Sequence, residues 1–153
     1  MAAFFCVMPQ KLHLSIADQS PVRQGGTAAQ ALQETVALAE AAEALGYERF
    51  WVAEHHNLPG FAGTSPEILV GQIAARTKTI RVGSGGVMLS HYSALKVAET
   101  FRVLESFYPG RIDLGLGRAP GSDGITMQAM RRDPSAANTW GESTGESLGR
   151  CQG

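Results

Sequence analysis

The sequence predicts an α/β fold built on a parallel sheet, and three observations predict it. Short apolar, β-branched runs alternate with longer amphipathic runs in the order βαβαβαβ. Each unit takes about 30 residues, the length of a strand with its crossover helix. Glycine or a Pro-Gly pair closes the first and third helical runs, at Gly46 and at Pro109-Gly110, as expected just past a helix end. Only crossover helices join parallel strands economically. A doubly wound sheet and a barrel both fit this order.

The elements follow in sequence. Residues 12–17, LHLSIA, alternate and read as a first strand. DQSPVRQGG is a loop of turn-forming residues. Thr27 caps a helix that runs to about Leu45, with Leu32, Val36, Ala39, Ala42 and Leu45 at helical spacing. RFWVAE, residues 49–54, is the second strand, and HHNLPGFAGTSP the loop after it. Ser65-Pro66 opens a second helix, proline being favoured in a first turn, and it ends near Lys78. IRVGSGGVML is the third strand, β-branched at first and then glycine-rich. SHYS is a loop, ALKVAETFRVLESF a third helix, RIDLGLG a fourth strand and RAPGSDG a loop. A further helix starts near Ile125 and soon runs out.

Composition bounds the class. A chain of 153 residues is long enough for one domain with its own core. A net charge of −1 supplies no field for nucleic acid. No run approaches the roughly 18 apolar residues of a membrane span. Cys6 and Cys151 stand near opposite ends, with neither a disulfide framework nor a metal-ligand spacing. The start MAAFFCVMPQK lacks a basic leader. A reducing, cytoplasmic setting is the expectation. Residues 1–134 read as one unit. Residues 135–153 are polar and aperiodic, and are expected to be disordered.

In parallel α/β folds, ligands bind beyond the carboxyl ends of the strands. That edge here carries Asp18, then Glu54, His55 and His56, then the glycines of Gly83 to Gly86 with His91 beyond, and Arg118. His55 is the main candidate for chemistry, because an imidazole exchanges protons near neutral pH. Alternation along a strand sets Ala53 and His55 on one side and Glu54 and His56 on the other. One histidine then faces a ligand while the other packs or hydrogen-bonds behind it. The plain alternative is a pair of satisfied histidines at a strand end. A metal site is disfavoured, for there is no HExxH helix and no cysteine cluster. GLGRAPG offers close backbone approach and a planar guanidinium for phosphate, at Arg118. Its spacing is not the dinucleotide fingerprint, and no acidic residue is placed for a ribose. GSGG in the third strand leaves a bare surface, either a bulge or a place where a flat ring can lie.

Taken together, EHH after the second strand, VGSGGVML at the third and PGRIDLGLGRAPG at the fourth resemble the bacterial luciferase-like monooxygenase family. The resemblance covers about residues 12–132. It implies the N-terminal half of a (β/α)₈ TIM barrel, about four strands of eight, that binds reduced FMN at its C-terminal face. It implies a monooxygenase-type oxidoreductase, using reduced FMN and O₂ on a small organic substrate, with a flavin reductase as the supplier. It makes His55 the active-site histidine, sets Gly85 and Gly86 against the flavin ring, often through a cis peptide, and sends Arg118 to the flavin phosphate. Some relatives use a deazaflavin coenzyme for hydride transfer. Some carry an inactive chain, so a non-catalytic flavin-binding or subunit-like fragment is the alternative. Two departures stand out: Ala94 occupies a position where relatives tend to have proline, and a complete barrel needs about 250 residues. Truncation or a frameshift is the expectation, with self-association through open sheet edges.

Overall fold

The computed structural model describes residues 12–119 and 121–130. Four strands, β1 (Ser15–Asp18), β2 (Arg49–Val52), β3 (Arg81–Met88) and β4 (Ile112–Gly117), alternate with helices α1 (Ala28–Ala44), α2 (Pro66–Arg76) and α3 (Ala94–Phe107). A 3₁₀ turn (Leu89–His91) precedes α3, and a short α4 (Gly124–Ala129) follows β4. All strand pairs are parallel, in the spatial order β1-β2-β3-β4. A doubly wound sheet reverses its order at a switch point. Here space follows sequence, which is the order of a barrel wall.

The helices cover one face. Phe50 and Val52 of β2 and Val82 of β3 are fully buried against Leu69, Val70 and Ile73 of α2 and Ala39 and Ala42 of α1. Val87, Leu89, Val97 and Phe101 form a second cluster under α3. With a side-chain period of two, the other face carries Arg49, Trp51, Arg81 and Asp113, all partly exposed. Asp113 Oδ2 accepts from Arg49 Nε at 3.2 Å and Arg81 Nε at 3.0 Å. These guanidinium contacts hold the carboxyl of Asp113 below its usual range, against the upward push of burial.

Side chains fix the element ends. Thr27 Oγ1 accepts from the Gln30 N–H, while Gln30 Oε1 accepts from the Thr27 N–H, a capping box at the start of α1. Gly46 follows α1 with φ +81°, a conformation glycine adopts without cost. The second helix ends at Arg76 rather than near Lys78. There Glu43 Oε1 collects the backbone N–H groups of Lys78, Thr79 and Ile80 at 2.8, 2.6 and 2.9 Å, which unwinds them from the helix. The Arg111 guanidinium covers the same helix end, donating to the carbonyls of Ala74, Thr77 and Ile80.

Three expectations shift. β1 begins at Ser15, because its pairing partner β2 begins at Arg49. β2 stops at Val52, because the chain turns away: the His55 N–H bonds Gly63 O in the following loop. SHYS is not wholly a loop, since Leu89–His91 closes a 3₁₀ turn. The polar tail at 135–153, Cys6 and Cys151 lie outside the described residues. None of the described helices is long and apolar enough to cross a membrane.

Candidate functional site

The carboxyl edge is organised around one buried carboxylate. Glu54 is 0% exposed. It accepts from the Met88 N–H at 2.8 Å and the Tyr92 Oη–H at 2.7 Å, and it shares a hydrogen bond of 2.6 Å with His56 Nε2. Three pieces of chain are thereby tied to the end of β2: the last residue of β3, the segment before α3, and the loop after β2. Burial first, then the hydrogen bond to Glu54, pushes the Tyr92 phenol up from its ordinary value. His56 also meets His91 edge-on, with centroids 5.5 Å apart.

The loop after β4 folds over this hub. The His56 N–H donates to Gly121 O at 2.9 Å, and Asn57 Nδ2 donates to Thr126 Oγ1 at 2.9 Å. Gly121 has φ +62°, and a Cβ there would stand 3.1 Å from Glu54 O and 3.3 Å from Met88 Cγ. A side chain at that position meets both strain and crowding.

His55 is set apart from its neighbour. Its ring stacks on Phe61, with centroids 4.6 Å apart and planes 23° apart. Nδ1 is buried without a hydrogen-bond partner. The division expected from alternation is therefore present: His56 is bonded behind to Glu54, and His55 points elsewhere.

In β3 the Gly85–Gly86 peptide is cis, as the family resemblance implied. It sits where the β3–β4 register shifts, between Ser84 and Val87. A Cβ on Gly86 would stand 2.8 Å from Gly115 O, so only glycine fits. Gly85 is exposed. Arg118, one residue past β4, is exposed on the same edge. His55 thus follows β2, Gly85 and Gly86 lie in the second half of β3, and Arg118 follows β4, three adjacent strands. Asp18, at the same edge, is otherwise engaged: Oδ2 accepts from the Thr35 hydroxyl at 2.6 Å and the Ser20 N–H at 3.0 Å, closing the β1–α1 turn. Among the described residues, no group of three His, Cys, Asp or Glu side chains is poised for a metal ion.

Sequence reasoning did not single out Trp51, Phe61 or Tyr92. Trp51 covers the glycines of β3, Phe61 backs His55, and Tyr92 bonds Glu54. For Trp51 a signal exists, because alternation sets it on the side of His55. Nothing local marks the other two.

A parallel (β/α) sheet with its polar groups gathered at the carboxyl edge is the ligand-binding arrangement of barrel enzymes. Comparison with known proteins narrows that class. The luciferase-like monooxygenase family model matches residues 12–139. The chain is 68% identical over 117 residues to YwcH of Bacillus subtilis strain 168, covering 76% of this chain and 35% of that protein. It is 55% identical over 122 residues to N-acetyl-S-alkylcysteine monooxygenase of the same organism, covering 80% of this chain and 36% of the relative. The crystal structure of apo-MsnO8 superposes with a TM-score of 0.86 at 48% identity, over 93% of this chain and 43% of that one. The chain belongs to the luciferase-like monooxygenase family. It spans about a third of the length of these curated relatives, and its four strands are part of a TIM-barrel wall.

Proposed function

We propose that this edge is the reduced-FMN side of a luciferase-like monooxygenase site, serving O₂-dependent oxidation of a small organic substrate. The observation that carries the reading is the fit of the edge to a flat anionic cofactor. The His55 imidazole stands at the same edge as the exposed Gly85 of β3 and the exposed guanidinium of Arg118 past β4. In this reading Gly85 and Gly86 lie against the isoalloxazine ring, and Arg118 binds the phosphate through its planar fork. The His55 imidazole holds or hands on a proton beside the ring. Reduced FMN, when bound, supplies the electrons that activate O₂. The chain's own part is to bind, orient and move that proton. Glu54 keeps His56 and the end of β3 in place while His55 acts.

FMN is preferred over a deazaflavin because the named relative at 55% identity is a monooxygenase, and deazaflavin enzymes transfer hydride without O₂. A flavin reductase is the proposed source of reduced cofactor, and the cytoplasm the proposed setting. A second reading, a non-catalytic flavin-binding or subunit-like chain, draws on the share of the relatives covered, 35% and 36%. Titration with oxidised and reduced FMN, followed by ring fluorescence, tests the binding. Arg118→Ala is expected to weaken FMN about tenfold or more, as loss of a charged contact worth about 1.5–3 kcal/mol requires. Unchanged affinity removes Arg118 from the site, and no binding by the wild type removes the flavin. NADH- and O₂-dependent turnover with added reductase separates the catalytic from the non-catalytic reading.

A further inference from the structure

The bare surface of β3 is not empty. Trp51, on the inner face of β2, lies along it. A Cβ on Gly83 would stand 2.6 Å from Trp51 Cζ3. One on Gly85 would stand 3.2 Å from Trp51 Cβ and 3.8 Å from Cε3. The six-membered ring of the indole thus spans the two glycines and reaches the level of the cis peptide. Glycine at 83 makes room for the ring, which no residue with a Cβ allows.

Trp51 is not a core residue of the helix-covered side. It is only partly buried, whereas Phe50 and Val52 on either side of it are 0% exposed. Its inner-face neighbours are small or engaged: Ala17 is exposed, and Arg49 and Arg81 are held on Asp113. An aromatic ring of this size, partly exposed and with its Cβ and Cε3 beside Gly85, is an adhesive surface for another flat ring.

We propose that Trp51 is a wall of the flavin pocket, with its indole in van der Waals contact with the isoalloxazine laid at Gly85–Gly86. This rests on the flavin reading above and adds a residue and a ring chemistry to it. Indole is electron-rich and oxidised isoalloxazine electron-poor. In contact, a photoexcited isoalloxazine takes one electron from the indole and returns it in the dark. No net reaction follows, and the flavin emission is lost.

Oxidised FMN is the probe, with binding read by ultrafiltration and emission measured on the same sample. Bound FMN is expected to be nearly dark in the wild type. Trp51→Phe is expected to brighten it at least fivefold while shifting Kd by less than about tenfold, the range of one aromatic pair. Trp140→Phe is the single-tryptophan control, and emission that rises there as much as in Trp51→Phe overturns the assignment. Bound FMN as bright as free FMN in the wild type, or still dark in Trp51→Phe, overturns the assignment while the flavin reading stands. No bound FMN at all overturns both. If Trp51→Phe fails to fold, transient absorption of the FMN-bound Trp140→Phe protein decides. Paired indole cation and flavin anion radicals support the contact, and their absence overturns it.

Discussion

Glu54 is the most informative single position to perturb. Its two oxygens make three hydrogen bonds in a site with 0% exposure. Glu54→Gln keeps the shape and replaces one oxygen with an amino group. Oε1 serves His56 and Tyr92, and Oε2 serves the Met88 N–H. In the better amide orientation, the amino group faces the Met88 N–H, donor against donor. One bond to a charged acceptor is lost, at a cost of about 1.5–3 kcal/mol. Glu54→Leu removes all three acceptors, and each donor left unmet costs about 1–3 kcal/mol. Relief of a buried charge offsets several kcal/mol of that sum. The relief applies to both variants, so the expected loss is about 4 kcal/mol for Leu and clearly smaller for Gln, which forfeits one contact rather than three. At about 3 °C per kcal/mol for a chain of this size, Tm falls by about 12 °C for Leu and by less for Gln. Urea unfolding, followed by circular dichroism at neutral pH, measures both. A Glu54→Leu protein within about 0.5 kcal/mol of the wild type refutes the reasoning, because the carboxylate is then a tolerated burial rather than a tie.

Two further outcomes are expected. Glu43 is pulled from an ordinary 4.5 to about 2, the upward push of burial being outweighed by hydrogen bonds from Thr79, Ile80 and Lys78. A depressed carboxyl stabilises fully above its unfolded pKa and loses that contribution as pH falls through the folded value. The wild-type urea midpoint is therefore expected to drop more steeply than that of Glu43→Gln between about pH 4.5 and 2, and parallel profiles contradict this. Among the described residues β1 and β4 stand at the two ends of the sheet, and sheet edges without a partner recruit other strands. We propose that the chain self-associates through them. Sedimentation velocity is expected to show species above the monomer, and a clean monomer at high micromolar concentration counts against it.

Much of the fold was legible because its signals are local. Thr27, Gly46, Pro66 and Pro109-Gly110 punctuate the chain by caps and turn geometry, and α3 lies where its periodicity put it. The cis bond at Gly85–Gly86 came only through family resemblance. The end of β2 was misjudged because His55 bonds Gly63, a contact within the next loop that no strand pattern encodes. The shift of the α2 end follows from Glu43, which reaches 35 residues along the chain to Lys78. The site was legible as an edge but not as a network. EHH announces polar groups, yet nothing near Tyr92 or Met88 says that they converge on Glu54. The fit between Trp51 and Gly83 depends on cross-strand register, which a single sequence does not print.

Arg111 and Glu43 have a consequence beyond their own bonds. Both clasp backbone at the amino end of the sheet, far along the strands from the histidines. The backbone clasps of Arg111 and Glu43 thus brace the rim opposite the candidate site. Evolution or an engineer can rewrite the upper loops for new molecules while the base stays fixed, so diversification here is inexpensive by construction.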